Sequence, residues 1–203
     1  MQLDGFVVHV VDDEEPVRKS LAFLLTMMGF TVRVHESATG FLASAQTIGK
    51  ACLVTDLRMP DMSGVELLDR LNAKGILVPA VVITGHGDVP MAVAAMKAGA
   101  VDFIEKPFED EVLVEAIKRA ASRLQETAPT VDIATLRSRI EDLSEREREV
   151  LSAVVAGLPN KTIAYNLGIS PRTVEVHRAN IMAKMQAKNL PELVRMTIAM
   201  GLS

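Results

Sequence analysis

The chain is poor in cysteine and in aromatic residues. It has one cysteine, Cys52, no tryptophan, one tyrosine and six phenylalanines among 203 residues. A single cysteine excludes an intramolecular disulfide and is typical of a reducing compartment. No apolar run approaches the ~18 residues of a membrane-spanning helix, and no signal peptide opens the chain. The sequence therefore predicts a soluble, cytoplasmic protein with no membrane partner.

The charge of the chain is unevenly distributed, although the net charge is only −4. Through Leu124 there are 12 Lys and Arg against 17 Asp and Glu, and from Gly157 onward there are 6 against 2. An acidic first part followed by a basic last part indicates two domains with different partners. The basic part is suited to a polyanion.

Short apolar runs alternate with helical patterns between Phe6 and Leu124. Five of these runs are rich in Val and Ile and are typical of buried parallel strands. The predicted fold class is α/β, with a doubly wound five-stranded parallel (βα)5 sheet, followed by a small all-α domain of four helices. The predicted organisation is a first domain over 1–124, a partly helical linker over 125–142 and a helical domain over 143–203.

Polar side chains stand where four of the predicted strands end: Asp12 and Asp13, then Asp56, Thr84 and Lys106. Because parallel strands share one carboxyl edge, we expect these groups to converge there. Carboxylates are suited to Mg²⁺, and a carboxylate can attack phosphorus to form an acyl phosphate. Asp56 would be the nucleophile, Thr84 would hydrogen-bond a phosphoryl oxygen, and the metal and Lys106 would neutralise charge.

The motifs around these residues are Asp12-Asp13, the stretch Leu53–Gly64, Thr84–Asp88 and Lys106–Phe108. Together they resemble the receiver domain of two-component response regulators over roughly residues 5–124. A nucleotide-binding Rossmann domain is excluded, because no Gly-x-Gly-x-x-Gly follows the first strand. The resemblance implies a cis peptide between Lys106 and Pro107, a kind of bond that occurs at proline.

The resemblance also implies roles for individual residues. A partner histidine kinase would phosphorylate Asp56, and Mg²⁺ or Mn²⁺ would be held by Asp13, Asp56 and the main-chain carbonyl of Arg58, with Asp12 nearby. Phe103 would be the aromatic switch that turns inward when Thr84 moves towards the phosphoryl group. The implied dimer surface on the fourth helix and fifth strand consists of Val93, Met96, Lys97 and Val101.

Arg58 and His86, two residues after Asp56 and Thr84, would flank the approach of water to a phosphorylated Asp56. They would either screen the phosphoryl group or point into solvent.

The last 61 residues resemble the helix-turn-helix effector domain of LuxR/NarL-type regulators. The motifs that carry the resemblance are Leu143–Leu151, Asn160–Ala164 and Ser170–Arg178. On the helix that starts at Pro171, one stripe should pack inward: Val174, Ile181 and Met185. The opposite side could enter a major groove, where Val176 and Ala179 could touch thymine methyls and Glu175 could accept from cytosine.

Phosphate contacts are expected from the polar residues of the last two helix-turn-helix helices: Lys161, Thr162, Arg172, Thr173, His177, Arg178 and Lys184. The basic residues alone also fit a solvated helix face. His177 alone also fits a packing or capping histidine.

The combination of both domains looks like a transcription factor of the FixJ/NarL family. The resemblance implies a phosphorylation-dependent homodimer that binds promoter DNA, works with RNA polymerase and, as in the nitrogen-fixation regulators, activates oxygen-regulated nitrogen-fixation genes. Such a protein is not an enzyme beyond its own phosphoryl transfer and dephosphorylation. Two alternatives remain: a phosphatase or hydrolase that uses the same acidic site, and a phosphate sink or protein-interaction module without a DNA role.

Overall fold

The computed structural model describes residues 5–45, 48–85, 87–124 and 133–202. Packing divides the described residues into two compact units. The first lies within Met1–His86 and Ala98–Pro129, and the second within Gly87–Lys97 and Thr130–Ser203. Residues 125–132 of the predicted linker and His86 lie outside the described residues, and the domain boundaries stay a prediction. Among the described residues, no helix is both long and apolar enough to cross a membrane.

The first unit contains a parallel sheet of five strands in the order β2-β1-β3-β4-β5. The strands are β1 (Val7–Val11), β2 (Thr31–His35), β3 (Ala51–Asp56), β4 (Ala80–Thr84) and β5 (Asp102–Glu105). Every residue of β3 and β4 is buried, which is why these strands are continuous apolar runs without alternation. The predicted α/β fold class is confirmed.

Five helices are described between the first strand and residue 124: α1 (Glu15–Met27), α2 (Ala38–Ser44), α3 (Gly64–Ala73), α4 (Val89–Lys97) and α5 (Asp110–Arg123). They follow the strands one by one, as the sequence pattern predicts. Leu21 and Leu25 of α1 and Leu113 and Ile117 of α5 pack with the apolar side chains of β1, β3 and β4 to form the core of the first unit.

The helices described after residue 132 are α6 (Ile133–Glu141), α7 (Glu145–Val155), α8 (Asn160–Leu167), α9 (Pro171–Met185) and α10 (Leu190–Ala199). The Ser144 hydroxyl and the Glu147 carboxylate form the predicted capping box of α7. At the start of α9, the Ser170 hydroxyl accepts a hydrogen bond from the Thr173 amide at 3.1 Å, and Pro171 opens the helix. Gly168 adopts the left-handed conformation that ends α8, with φ +65°.

Two stacked imidazoles lie on the first two strands. His9 Nδ1 and His35 Nε2 are 2.9 Å apart, and both rings contact Phe41 edge-on. Burial, together with the neighbouring charges of His35 and Arg33, lowers the pKa of His9 to about 4. A neutral His9 is therefore part of the packed structure.

Replacing His9 with Phe should make stability less dependent on pH. The unfolded chain binds a proton on His9 below about pH 6.5, whereas the folded chain resists protonation down to about pH 4. The stabilising contribution of neutral His9 is thus present above about pH 6.5 and is lost as the pH falls. The free energy of unfolding can be measured by urea unfolding followed by circular dichroism. Between about pH 7 and pH 4.5, it should fall by roughly 2 kcal/mol more in the parent than in His9→Phe. Parallel pH curves would contradict this result.

Candidate functional site

The polar residues predicted for the carboxyl edge of the sheet do come together there. Asp12 follows β1, Asp56 and Thr84 end β3 and β4, and Lys106 follows β5. The approach of α3 to this edge depends on Gly64, since a Cβ on Gly64 would lie 2.5 Å from the main-chain oxygen of Asp56. The Gly64 amide instead donates to the Leu57 carbonyl at 2.9 Å. A glycine therefore lets the loop after Asp56 fold back tightly.

The Lys106 ammonium lies between two buried carboxylates. Lys106 Nζ donates to Asp56 Oδ1 at 2.8 Å and to Asp12 Oδ2 at 3.1 Å. Asp12 is 1% exposed and Asp56 is 8% exposed. Burial alone would lower the pKa of Lys106, but hydrogen bonding and charge from Asp56, together with Asp12, raise the pKa overall. Lys106 therefore stays positively charged at neutral pH.

Main-chain amides hold the other oxygens of the two carboxylates. The Arg58 amide donates to Asp56 Oδ2 at 2.6 Å, and the Glu14 amide donates to Asp12 Oδ1 at 2.8 Å. Burial raises the pKa of Asp12, although the Glu14 amide and Lys106 act in the opposite direction. The geometry thus fixes two carboxylates and one ammonium in a small polar cluster.

The remaining predicted residues of this site differ in exposure. Asp13 and the Arg58 side chain are exposed, Thr84 is buried and Phe103 is half-buried on β5. The predicted cis peptide between Lys106 and Pro107 is confirmed. The proposed functional roles of these residues stay predictions.

The donor chemistry at the sheet edge fits a hard cation. Within the part of the chain that the structure describes, no three or more His, Cys, Asp or Glu side chains form a metal-binding group. Mg²⁺, however, commonly uses only one or two carboxylates and takes its other ligands from water and phosphate. Asp12 and Asp56 supply carboxylate oxygens that share one ammonium. Asp12 and Asp56 therefore fit a bound Mg²⁺ ion.

The predicted dimer surface is not an exposed surface of this chain. Lys97 is exposed, but Val93, Met96 and Val101 are buried. Val101 precedes β5 and packs into the core of the first unit, whereas Val93 and Met96 are buried residues of α4. The prediction depended on the family resemblance, which does not indicate whether an apolar side chain is buried in this chain. A role in dimerisation stays a prediction.

In the second unit, α9 has one buried side and one exposed side. Val174, Ile181 and Met185 are buried, as predicted. The predicted DNA contacts that are exposed without a described hydrogen bond are Lys161, Thr162, Arg172, Glu175, Val176 and Ala179. They lie on α8 and α9, and their contact with DNA stays a prediction.

Other predicted phosphate contacts are engaged within the chain. Arg178 Nη1 donates to Asn160 Oδ1 at 2.9 Å, which ties α9 to the start of α8. Asn160 is the first residue of α8, and Pro159 precedes it as the N-cap. The Thr173 hydroxyl lies 2.8 Å from the Ser170 hydroxyl, and His177 Nδ1 is buried without a partner among the described residues. Arg178 and Thr173 thus have partners within the chain, and their contacts with phosphate stay predictions.

Lys184 also has partners within the chain. Its ammonium donates to Glu147 Oε2 at 2.7 Å and to the Asp142 carbonyl at 3.2 Å. Glu147 is buried, and hydrogen bonds from Lys184 and the Ser144 amide lower its pKa to about 2. Sequence analysis did not identify Glu147 as the partner, because 37 residues separate it from Lys184.

Replacing Glu147 with Gln should destabilise the helical unit by about 2 kcal/mol at neutral pH, because a hydrogen bond between charged groups is lost. The pKa of Glu147 is lowered, so its contribution is present above about pH 4.5 and is lost as the pH falls towards about 2. Urea unfolding should therefore show a gap between parent and variant that closes in acid. Glu149→Gln is the matched control, since Glu149 pairs with Arg146 on the surface. This substitution should lower the free energy of unfolding by well under 1 kcal/mol. Equal losses in both variants would contradict this account.

Comparison with known families agrees with the sheet-edge site of the first unit and with the helices of the second unit. The response regulator receiver domain family matches residues 8–118. The chain belongs to the response regulators. Residues 141–197 match the luxR family of bacterial regulatory proteins. This response regulator therefore joins a receiver domain to a LuxR-type DNA-binding domain.

Similar proteins cover nearly the whole chain. The transcriptional regulatory protein FixJ of Rhizobium meliloti (strain 1021) is 68% identical over 200 residues, which are 98% of each chain. The C4-dicarboxylate transport transcriptional regulatory protein DctR of Rhodobacter capsulatus is 46% identical and is matched over 95% of this chain and 100% of its own. The crystal structure of full-length FixJ from B. japonicum is similar with a TM-score of 0.56, 46% identity and coverage of 97% and 98%. The predicted resemblance to FixJ is confirmed.

Membership of the family has direct consequences. The chain is a two-component regulator of transcription and not a conventional enzyme. Its two domains imply a histidine kinase and promoter DNA as partners. Receiver domains generally use Mg²⁺ at the site of phosphorylation.

Proposed function

We propose that a partner histidine kinase phosphorylates this response regulator on Asp56 in a Mg²⁺-dependent reaction, and that the phosphorylated chain dimerises and binds promoter DNA to activate transcription. The observation that carries the proposal is the Lys106 ammonium, which lies within hydrogen-bonding distance of both Asp56 and Asp12. A positive charge next to a nucleophilic carboxylate is what phosphoryl transfer needs, because negative charge accumulates on the phosphoryl oxygens.

In the transfer step, a carboxylate oxygen of Asp56 forms a bond to phosphorus while the phosphorus–nitrogen bond to the kinase histidine breaks. The phosphoryl group moves to Asp56, and the imidazole leaves. Lys106 remains in place to balance the charge, and the Thr84 hydroxyl at the end of the neighbouring strand hydrogen-bonds a phosphoryl oxygen. The chain thereby catalyses its own modification.

Asp12, Asp13, Asp56 and the main-chain carbonyl of Arg58 would hold the Mg²⁺ or Mn²⁺ ion. When bound, the ion supplies positive charge that offsets the phosphoryl oxygens. Asp12 is already fixed by the Glu14 amide and by Lys106, and Asp56 is fixed by the Arg58 amide and by Lys106. These contacts reduce the reorganisation needed for metal binding.

The proposed DNA binding depends on α8 and α9. Lys161 and Arg172 are exposed cations without a described internal partner, and they are suited to DNA phosphates. Val176 is exposed near the middle of α9, where it can reach base edges. By resemblance to FixJ, the proposed targets are oxygen-regulated nitrogen-fixation genes, which the chain would activate with RNA polymerase in the cytoplasm.

Dimerisation is proposed because a single helix-turn-helix contacts only one half-site. Two linked half-sites can raise the overall affinity by 10²- to 10⁴-fold through effective concentration. Sedimentation of the full chain with acetyl phosphate and Mg²⁺ should show a monomer becoming a dimer, and omission of Mg²⁺ should prevent the change. A constant molecular mass together with a rise in DNA affinity would overturn the dimer mechanism.

A further inference from the structure

Asn180 is an exposed residue of α9 to which none of the roles described above has been assigned. Its amide makes no hydrogen bond within the residues the structure covers. An α-helix turns by about 100° per residue about its axis. The middle of the exposed face of α9 is the direction opposite the buried stripe of Val174, Ile181 and Met185. Asn180 lies about 60° from that direction. Glu175 lies about 80° from that direction on the same basis. Asn180 is thus nearer the middle of the exposed face than Glu175.

The neighbours of Asn180 leave its amide accessible. Ala183, which lies one turn after Asn180, is exposed and small. Lys184 also lies one turn after Asn180, but its ammonium is bound by Glu147. Val176, which is 55% exposed, precedes Asn180 by four residues, or about 6 Å along the helix axis. This distance is close to two base-pair steps of ~3.4 Å. A helix that places Val176 against one base pair can therefore place Asn180 against another.

We propose that Asn180 contacts base edges in the major groove and selects adenine at its position, an inference that rests on the proposed DNA-binding function. A carboxamide carries an acceptor and a donor side by side. Adenine presents the complementary pair in the major groove, so Asn180 Oδ1 accepts from the N6 amine while Nδ2 donates to N7. Guanine presents two acceptors at the same edge and cannot satisfy both atoms of the amide.

A contact to phosphate would have a different signature. Phosphate oxygens only accept hydrogen bonds, so Asn180 would use Nδ2 alone and its contact would be independent of sequence. Replacement of the residue would then weaken binding to all duplexes to a similar extent. Replacement of a base-contacting residue instead removes a preference at one position.

The first experiment is selection of binding sites from a randomised duplex library with the phosphorylated full chain and with Asn180→Ala. The parent should enrich adenine at one position of each half-site, and Asn180→Ala should lose that preference while keeping the others. Asn166→Ala is the matched control, because Asn166 is an exposed asparagine on α8 and its removal should leave the preferences unchanged. Identical preferences in the parent and Asn180→Ala would overturn the inference.

The second experiment replaces the selected adenine with 7-deazaadenine, which lacks the N7 acceptor. The parent should bind the modified duplex roughly tenfold less tightly, whereas Asn180→Ala should bind both duplexes equally. A uniform loss for Asn180→Ala on all duplexes would overturn base contact in favour of phosphate contact. A parent that selects no sequence would refute the proposed DNA-binding function itself, and the inference with it. Circular dichroism should confirm that the variants are folded, as expected for exposed positions.

Discussion

Asp56→Asn is expected to abolish phosphorylation of the chain and to leave its fold intact. The amide has nearly the same shape as the carboxylate, so the hydrogen bonds from the Arg58 amide and Lys106 to an oxygen can still be made in part. An amide is, however, a poor nucleophile and a weaker ligand for a hard cation. Intact-mass measurement after incubation with acetyl phosphate and Mg²⁺ should show one added phosphoryl group in the parent and none in the variant.

The matched control for this experiment is Asp69→Asn, because Asp69 is an exposed carboxylate on α3. Its phosphorylation should equal that of the parent. A normal gain in mass for Asp56→Asn would refute the assignment of the site. Loss of phosphorylation in both variants would show that the effect is not specific to Asp56 and would likewise refute the assignment.

Val176→Asp is expected to remove specific DNA binding. Val176 lies on the exposed face of α9, so a carboxylate there has no effect on the core but would be buried without a partner against bases and phosphates. The expected loss is roughly 3 kcal/mol, or about 100-fold in affinity. Fluorescence anisotropy with a duplex selected by the parent measures it directly.

Val112→Asp provides the matched control for the added charge, since Val112 is also exposed but lies on α5 of the first unit. Its DNA affinity should stay within about twofold of that of the parent, because Val112 is not part of the helices proposed to contact DNA. Comparable losses in the two variants would mean that net charge, and not position on α9, controls binding.

The fold and the sheet-edge site could be predicted because each depends on local patterns. Buried parallel strands are short apolar runs, and the polar residue at each carboxyl end is adjacent to its run in sequence. The convergence of Asp12, Asp56 and Lys106 therefore follows from the direction of the strands. The interaction of Lys106 with both carboxylates could not be predicted from spacing, because these residues are 94 and 50 positions apart.

The surface of the helical domain was harder to predict, because exposure and pairing depend on distant residues. Lys184 was predicted to contact phosphate, but its ammonium is bound by Glu147 of another helix. Arg178 is likewise bound to Asn160. Helical periodicity correctly predicted the buried stripe of α9, which consists of Val174, Ile181 and Met185.

The central claim is that phosphorylation of Asp56 controls DNA binding, and footprinting tests it most directly. A duplex selected by the parent would be probed with the full chain, with and without acetyl phosphate and Mg²⁺, in parallel with Asp56→Asn. Protection should appear at a markedly lower concentration of the parent when the phosphoryl donor is present, and the donor should have no effect on the variant. Equal protection of the duplex with and without the donor, or a response of Asp56→Asn equal to that of the parent, would contradict the claim.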